Sequence, residues 1–233
     1  MAENPFAWED TMRALPVDDM PDPERAPYVQ HSTDNGQAEE HRHDPPVPGW
    51  LLPPPEGFKA EDLDHLPQLP SHAELIDGSI ILVSPQADFH MLTVSLLESA
   101  LRRQLPDGLR VRREMTVTLA DRQRPEPDVL VLDAKGITGR DQTSYEPEYV
   151  LLAIEVVSQE SAIRDRERKP QLYAEAGIPH FWRVENTGGR PMVCVFELDV
   201  ATKTYVATGV HHDRLKLTVP FDIDIDLTEI DRL

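Results

Sequence analysis

The sequence predicts an α/β protein: a mixed β-sheet core flanked by helices, behind a long polar arm. Three observations carry that prediction. Extended and helical signals run as strands, helix, strands, helix, strands, unlike the strict alternation of a parallel repeat. Two stretches, Asp128-Val129-Leu130-Val131-Leu132 and Tyr149 to Val157, are almost continuously apolar, as strands covered on both faces are. Composition also changes sharply near residue 68.

The arm is residues 1–68. Thirteen of the 22 prolines lie within residues 1–70, with 15 of the 42 acidic residues against four basic ones, a net charge of −11. Apolar positions are few and irregular, so the segment cannot bury enough surface to offset the entropy of ordering it. Disorder is expected, with a docked piece around Trp50-Leu51-Leu52 or Phe58 as the alternative. His41 and His43, beside Glu39, Glu40 and Asp44, read as a solvated polar run or a loose metal site. A proline-rich arm can also be the ligand of a protein partner, although no P-x-x-P with basic flanks stands out.

The folded domain is expected over residues 69–233, with its first element near Ser71. Glu74 to Val83 reads as strand, Asp-Gly turn, strand. From His90 to about Gln104, Leu92, Leu96, Leu97, Ala100 and Leu101 make one apolar helical face, stopped by Pro106-Asp107-Gly108. Val111 to Leu119 alternates and reads as one strand; the two apolar runs are the next. A helix follows from about Ile163 to Ala176, ended by Gly177 and either kinked at Pro170 or beginning properly near Lys169. His180 to Val184, Val193 to Leu198 and Thr204 to Ala207 read as strands, before a tail from Phe221 to Leu227.

Composition excludes several classes. The single cysteine, Cys194, rules out an intramolecular disulfide and a cysteine-based metal cage, and its alternating surroundings suggest a buried thiol. No apolar run approaches the roughly 20 residues that span a bilayer, and no secretory signal opens the chain. A cytoplasmic protein with no membrane partner is expected.

Glu155 is the residue that apolar patterning does not explain. It interrupts an apolar strand, where a carboxylate is costly unless paired or metal-bound. Asp128 opens the preceding apolar strand, where a turn residue after proline is the plainer reading. Together on neighbouring strands they would form a hard oxygen cluster suited to Mg²⁺ or Mn²⁺. On a regular helix Asp165, Lys169 and Tyr173 share one face. Lys169 is thus either a candidate to orient a nucleophilic water or half of a surface salt bridge to Asp165.

Residues 71–230 resemble the Uma2 family, a bacterial group within the PD-(D/E)XK restriction-endonuclease-like superfamily. The resemblance is carried by Glu74-Leu75-Ile76-Asp77-Gly78, Ser84-Pro85 with His90, Pro127-Asp128-Val129 and Ile154-Glu155-Val156-Val157-Ser158. Asp165 with Lys169 and Tyr173 follows, then Ala174-Glu175-Ala176-Gly177-Ile178-Pro179-His180-Phe181-Trp182, the most specific string. The resemblance implies a restriction-endonuclease-like fold and a Mg²⁺- or Mn²⁺-dependent endonuclease. Asp128 and Glu155 would be the metal ligands, Glu74 an acidic residue from the N-terminal part of the core, and Lys169 the catalytic lysine. In the superfamily pattern the lysine stands two residues after the glutamate, where this chain has Val157; the following helix supplies it here.

Five further residues have two readings each. His90 is a general base or phosphate contact, or a helix-end hydrogen bond. Tyr173 contacts substrate or is a half-buried core tyrosine. Ser158 supports the site or caps the next helix. Phe181 and Trp182 are core or base-stacking platforms. Nucleic acid, with DNA preferred, is the expected substrate, and a homodimer is expected for cutting two strands. Residues 71–233 carry −8, so binding a polyanion depends on whether the basic clusters at 102–103, 110–113, 122–124 and 164–169 converge on the cleft. The alternatives are a catalytically silent nuclease-fold scaffold or binding protein, and a hydrolase of small phosphate esters.

Overall fold

The computed structural model describes Gly49 and residues 52–233. A 3-10 turn, Ala60–Asp64, precedes a hairpin of β1 (Ala73–Ile76) and β2 (Ser79–Leu82). Its turn is the expected Asp77-Gly78, both with positive φ, 53° and 76°. Then come α1 (Asp88–Gln104), β3 (Leu109–Arg113), β4 (Thr116–Val117), β5 (Val129–Asp133), β6 (Ser144–Tyr145) and β7 (Val150–Val156). A π-helical turn, Arg164–Arg168, runs into α2 (Lys169–Glu175). The chain finishes with β8 (His180–Thr187), β9 (Arg190–Asp199), β10 (Thr204–His211), β11 (Arg214–Leu217), β12 (Ile223–Asp226) and a 3-10 turn.

The main sheet has six strands in the order β10-β9-β8-β7-β5-β3, and its β7–β8 pair alone is parallel. The mixed sheet is the expected one. Burial on both faces explains the apolar runs. One face carries Val129, Val131, Leu152, Ile154 and Val156 against Val94, Leu97 and Leu101 of α1 and Ile223 and Ile225 of β12. The other carries Leu130, Leu132 and Ala153 against Tyr173, Ile178 and Phe181. Phe181 and Trp182 are core residues, and Cys194 is buried.

Three expectations are corrected. The strand read over Val111 to Leu119 is two. Glu114 takes a left-handed φ of 52°, ending β3 after Arg113. The break moves the chain between layers: Val111 packs in the first cluster, Val117 in the second. The tail is a hairpin, since β12 pairs with β11, which sequence patterning did not reveal. The folded part also starts before residue 69. Phe58 and Ala60 are buried beside Leu75, and the Ala60 N–H donates to the Asp121 carbonyl at 2.7 Å. Leu52 is exposed, while Trp50, Leu51 and the His41–His43 group lie outside the described residues. No described helix is long and apolar enough to cross a membrane.

Candidate active site

Strand geometry brings the two carboxylates together. Val129 pairs with Ile154 in the antiparallel β5–β7 ladder, so one further step sets Asp128 opposite Glu155. Side chains opposite one another share a face. Leu130 and Ala153, two residues away on each strand, lie in the α2-facing layer, and so does Glu155. Asp128 sits at the strand end. Its Oδ2 accepts the Val156 N–H at 2.6 Å, and its Oδ1 is 3.1 Å from His90 Nε2.

Glu74 arrives from 54 residues upstream of Asp128. The segment ahead of Asp128 contains Pro125 and Pro127, which hold the residues before them extended. That extended segment is bonded to β1: Leu75 N–H donates to the Arg124 carbonyl at 3.0 Å, and Arg124 N–H to the Leu75 carbonyl at 2.7 Å. Glu74, beside Leu75, is thereby carried to the end of β5.

The lysine comes from the crossover between β7 and β8. Pro170 has no N–H to give the Arg166 carbonyl. The helix widens just before it, and the Lys169 N–H bonds the Arg164 carbonyl five residues back. Such single π turns are frequent at functional sites. Lys169 Nζ then lies 3.0 Å from Glu155 Oε2, 3.1 Å from Glu74 Oε2 and 3.3 Å from Asp165 Oδ1. The shared face expected for Asp165, Lys169 and Tyr173 is present, but it is buried. Asp165 and Lys169 are 1% and 2% exposed, so the surface salt-bridge reading is corrected.

The supporting residues have specific jobs. The Tyr173 hydroxyl donates to Glu155 Oε1 at 2.6 Å, and its ring is fully buried, so it neither touches solvent nor is half-buried. The Ser161 hydroxyl donates to Asp165 Oδ2. Ser158 Oγ accepts the Ser161 N–H at 3.1 Å, a capping-type bond on the turn entering the helix. His90 places its side chain on Asp128 rather than on the helix end.

Charge in this cluster is lopsided. Burial raises the Glu155 carboxyl well above its ordinary range, against the pull of the Lys169 charge. Burial likewise raises Asp165, opposed by Lys169 and Ser161. Burial also works against the Lys169 ammonium, but Glu155, Glu74 and Asp165 outweigh it and push the amine well up. The ammonium therefore persists among crowded carboxylates. Glu74 Oε2 and Asp165 Oδ1 are buried within ion-pair distance of it, yet neither receives a hydrogen bond.

These groups border a cleft of about 210 Å³ lined by seven acidic side chains and four basic ones, His72, His90, Arg164 and Lys169. Several lining residues escaped the sequence reading, His72, Glu114 and Glu126 among them. His72 and Glu126 are joined by a 2.6 Å bond, and Glu114 faces them. Glu126 was detectable, because it stands two residues before Asp128 in an extended stretch. His72 and Glu114 carried no signal. Of the arginines in the basic clusters, Arg164 alone lines the cleft. Arg102 pairs with Glu98, Arg113 with Glu114, Arg166 with Glu185 and Arg168 with Asp77, while Arg124 is buried.

The donors suit a divalent cation chemically: hard carboxylate oxygens, two of them buried without a hydrogen bond, in excess over nearby positive charge. Among the described residues no set of three or more His, Cys, Asp or Glu side chains is already gathered around a metal position.

Residues 60–228 match the family model Uma2, described as "Putative restriction endonuclease". Among solved structures, the chain is similar to "a putative nuclease belonging to DUF820 from Anabaena variabilis ATCC 29413". Identity is 15% and the TM-score 0.56, with 74% of this chain and 97% of that one covered. At that identity the likeness is one of fold. No curated protein matches the chain.

Proposed function

The chain belongs to the Uma2 family, and from that premise we propose that it is a Mg²⁺- or Mn²⁺-dependent endonuclease hydrolysing phosphodiester bonds, with DNA as substrate. The observation that carries this reading is the convergence of Lys169 Nζ on Glu155, Glu74 and Asp165 at 3.0–3.3 Å, beside Asp128 and at the wall of a cleft. Asp128 and Glu155 would hold the metal. Bound there, it supplies an acidified water and neutralises charge on the phosphate oxygens.

The chain's own groups do the rest. Tyr173 fixes one oxygen of Glu155, and the Val156 N–H and His90 fix Asp128. Lys169, anchored by Asp165, presents a permanent positive charge beside the reacting group, where it orients the nucleophile and stabilises developing negative charge. The acidic lining repels a phosphodiester in the absence of cations. Strict dependence on an added divalent metal follows.

The test is supercoiled plasmid cleavage in Mn²⁺. Asp128→Asn and Glu155→Gln are expected to lower the rate at least about a thousandfold, several kcal/mol of transition-state stabilisation, while the melting transition is retained. Cleavage persisting in both variants and in EDTA sinks the mechanism.

One observation favours a second reading, a silent scaffold of the same fold. Lys169 is paired three times, as a purely structural cation would be. Calorimetric titration separates the two, because a scaffold takes up no Mn²⁺ that depends on Asp128 and Glu155.

A further inference from the structure

Of the four basic groups that line the acidic cleft, His72 is the most exposed. Lys169 is 2% exposed and surrounded by three carboxylates. Arg164 is 22% exposed and places one terminal nitrogen on both oxygens of Glu160, at 2.8 and 2.9 Å, while its buried Nε has no partner. His90 is 7% exposed and turned onto Asp128. His72 differs: its side chain is 47% exposed at the cleft rim, and it is hydrogen-bonded to one acid, Glu126, with Glu114 and Arg113 near enough to act on its charge.

Its placement is constrained. His72 has φ of 62°, an uncommon left-handed conformation for a residue other than glycine, immediately ahead of β1. A backbone outlier of this kind points toward function more readily than a relaxed one does. Nδ1 is 2.6 Å from Glu126 Oε1, and Glu126 is itself 11% exposed and held between Pro125 and Pro127. A carboxylate bound to one ring nitrogen orients the imidazole and leaves the other nitrogen to face outward. The Glu126 hydrogen bond, opposed by partial burial, also favours the protonated ring.

Resting on the reading of this cleft as a phosphodiester site, we propose that His72, oriented by Glu126, is its direct contact to a substrate phosphate. The imidazole Nε2–H donates to a non-bridging phosphate oxygen at the rim. It adds positive charge at the rim, outside the buried Lys169 ammonium.

The test pairs duplex binding with metal binding. His72→Asn is the informative variant, because asparagine tolerates the left-handed backbone and removes the ring. Anisotropy of a labelled DNA duplex with Ca²⁺ in place of Mn²⁺ is expected to show about tenfold weaker binding for His72→Asn and about threefold weaker for Glu126→Gln. Calorimetric Mn²⁺ affinity and the melting temperature are expected to stay at wild-type values. In Mn²⁺ cleavage, the loss is expected in KM rather than kcat. Duplex affinity within twofold of wild type overturns the assignment, as does an equal loss of Mn²⁺ affinity or a loss confined to kcat. Failures of the two readings are distinct. A wild type that binds DNA through His72 but cuts nothing in Mn²⁺ refutes the nuclease reading and leaves the contact standing. A wild type that hydrolyses bis(4-nitrophenyl) phosphate but binds no duplex refutes the contact and keeps the hydrolase.

Discussion

Two buried cations sit in this domain, and their surroundings differ in kind. Arg124 is 3% exposed, and its guanidinium is matched group for group. Nε donates to Thr116 Oγ1 at 2.9 Å, Nη1 to the Ala60 carbonyl at 2.9 Å and to Asp64 at 2.7 Å, and Nη2 to Asp64 at 2.9 Å. One cation meets one carboxylate, and Asp64 is part-exposed. Lys169 meets three carboxylates, with Asp128 close by, and two of their oxygens receive no hydrogen bond. A site built for stability approaches charge balance, because unbalanced buried charge is costly. The Lys169 cluster carries an excess of negative charge that folding alone does not require. Carboxylates retained against that cost are what the proposed metal-dependent reading calls for.

The largest expected effect that breaks the comparison is catalytic. Lys169→Met should lower Mn²⁺-dependent cleavage on the order of 10²–10³-fold, the cost of losing a preorganised charge. Arg124→Met should leave the rate per folded molecule unchanged. Next comes stability. Arg124→Met is expected to destabilise by about 2–4 kcal/mol in urea unfolding, below the range for a fully buried pair because Asp64 can turn to water. Mn²⁺ should not restore it. Lys169→Met should also melt early in metal-free buffer, but Mn²⁺ should raise its melting temperature more than that of wild type.

A smaller effect is expected for Tyr173→Phe, which removes the hydroxyl on a buried carboxylate: about 1–3 kcal/mol of stability, read in the same unfolding assay. The smallest is pH-dependent, with opposite signs at the two sites. Burial holds Asp165 and Glu126 above their ordinary values of 3.8 and 4.5, so folding takes up protons there. Their contribution to stability grows as pH falls from neutral toward those values. Arg124 holds Asp64 below 3.8, so its contribution is present above that pH and is lost as pH falls through the lowered folded value. Metal-free melting should therefore rise on mild acidification and fall on strong acidification. A monotonic decline from pH 8 downward would contradict the picture of excess buried carboxylate.

Much of the sheet was legible because its signals are local. Val129–Leu132 and Val150–Val156 announce doubly covered strands by composition alone, and Asp77-Gly78 announces a tight turn. The split after β3 was not legible, because Glu114 is not a residue that announces a left-handed backbone. β11 was missed because Arg214-Leu215-Lys216-Leu217 is too short to stand out without its partner β12. At Phe58 the sequence left disorder and a docked piece both open, and contacts with Leu75 and Arg124 explain why it docks.

At the site, the chain by itself determined that Glu155 needs a partner, since a carboxylate within a doubly covered strand has no solvent to turn to. It also placed Asp165, Lys169 and Tyr173 at helical spacing. Three further features exist only in the folded molecule. Lys169 points inward, Glu74 completes its surroundings, and His72 stands with Glu126 at the rim. Each depends on contacts between elements far apart in sequence: the ladder that opposes Asp128 to Glu155, the bonding of β1 to Arg124, and the wide turn ahead of Pro170. Periodicity reports which face a side chain occupies. What meets it on that face is set by long-range pairing, which no local pattern encodes.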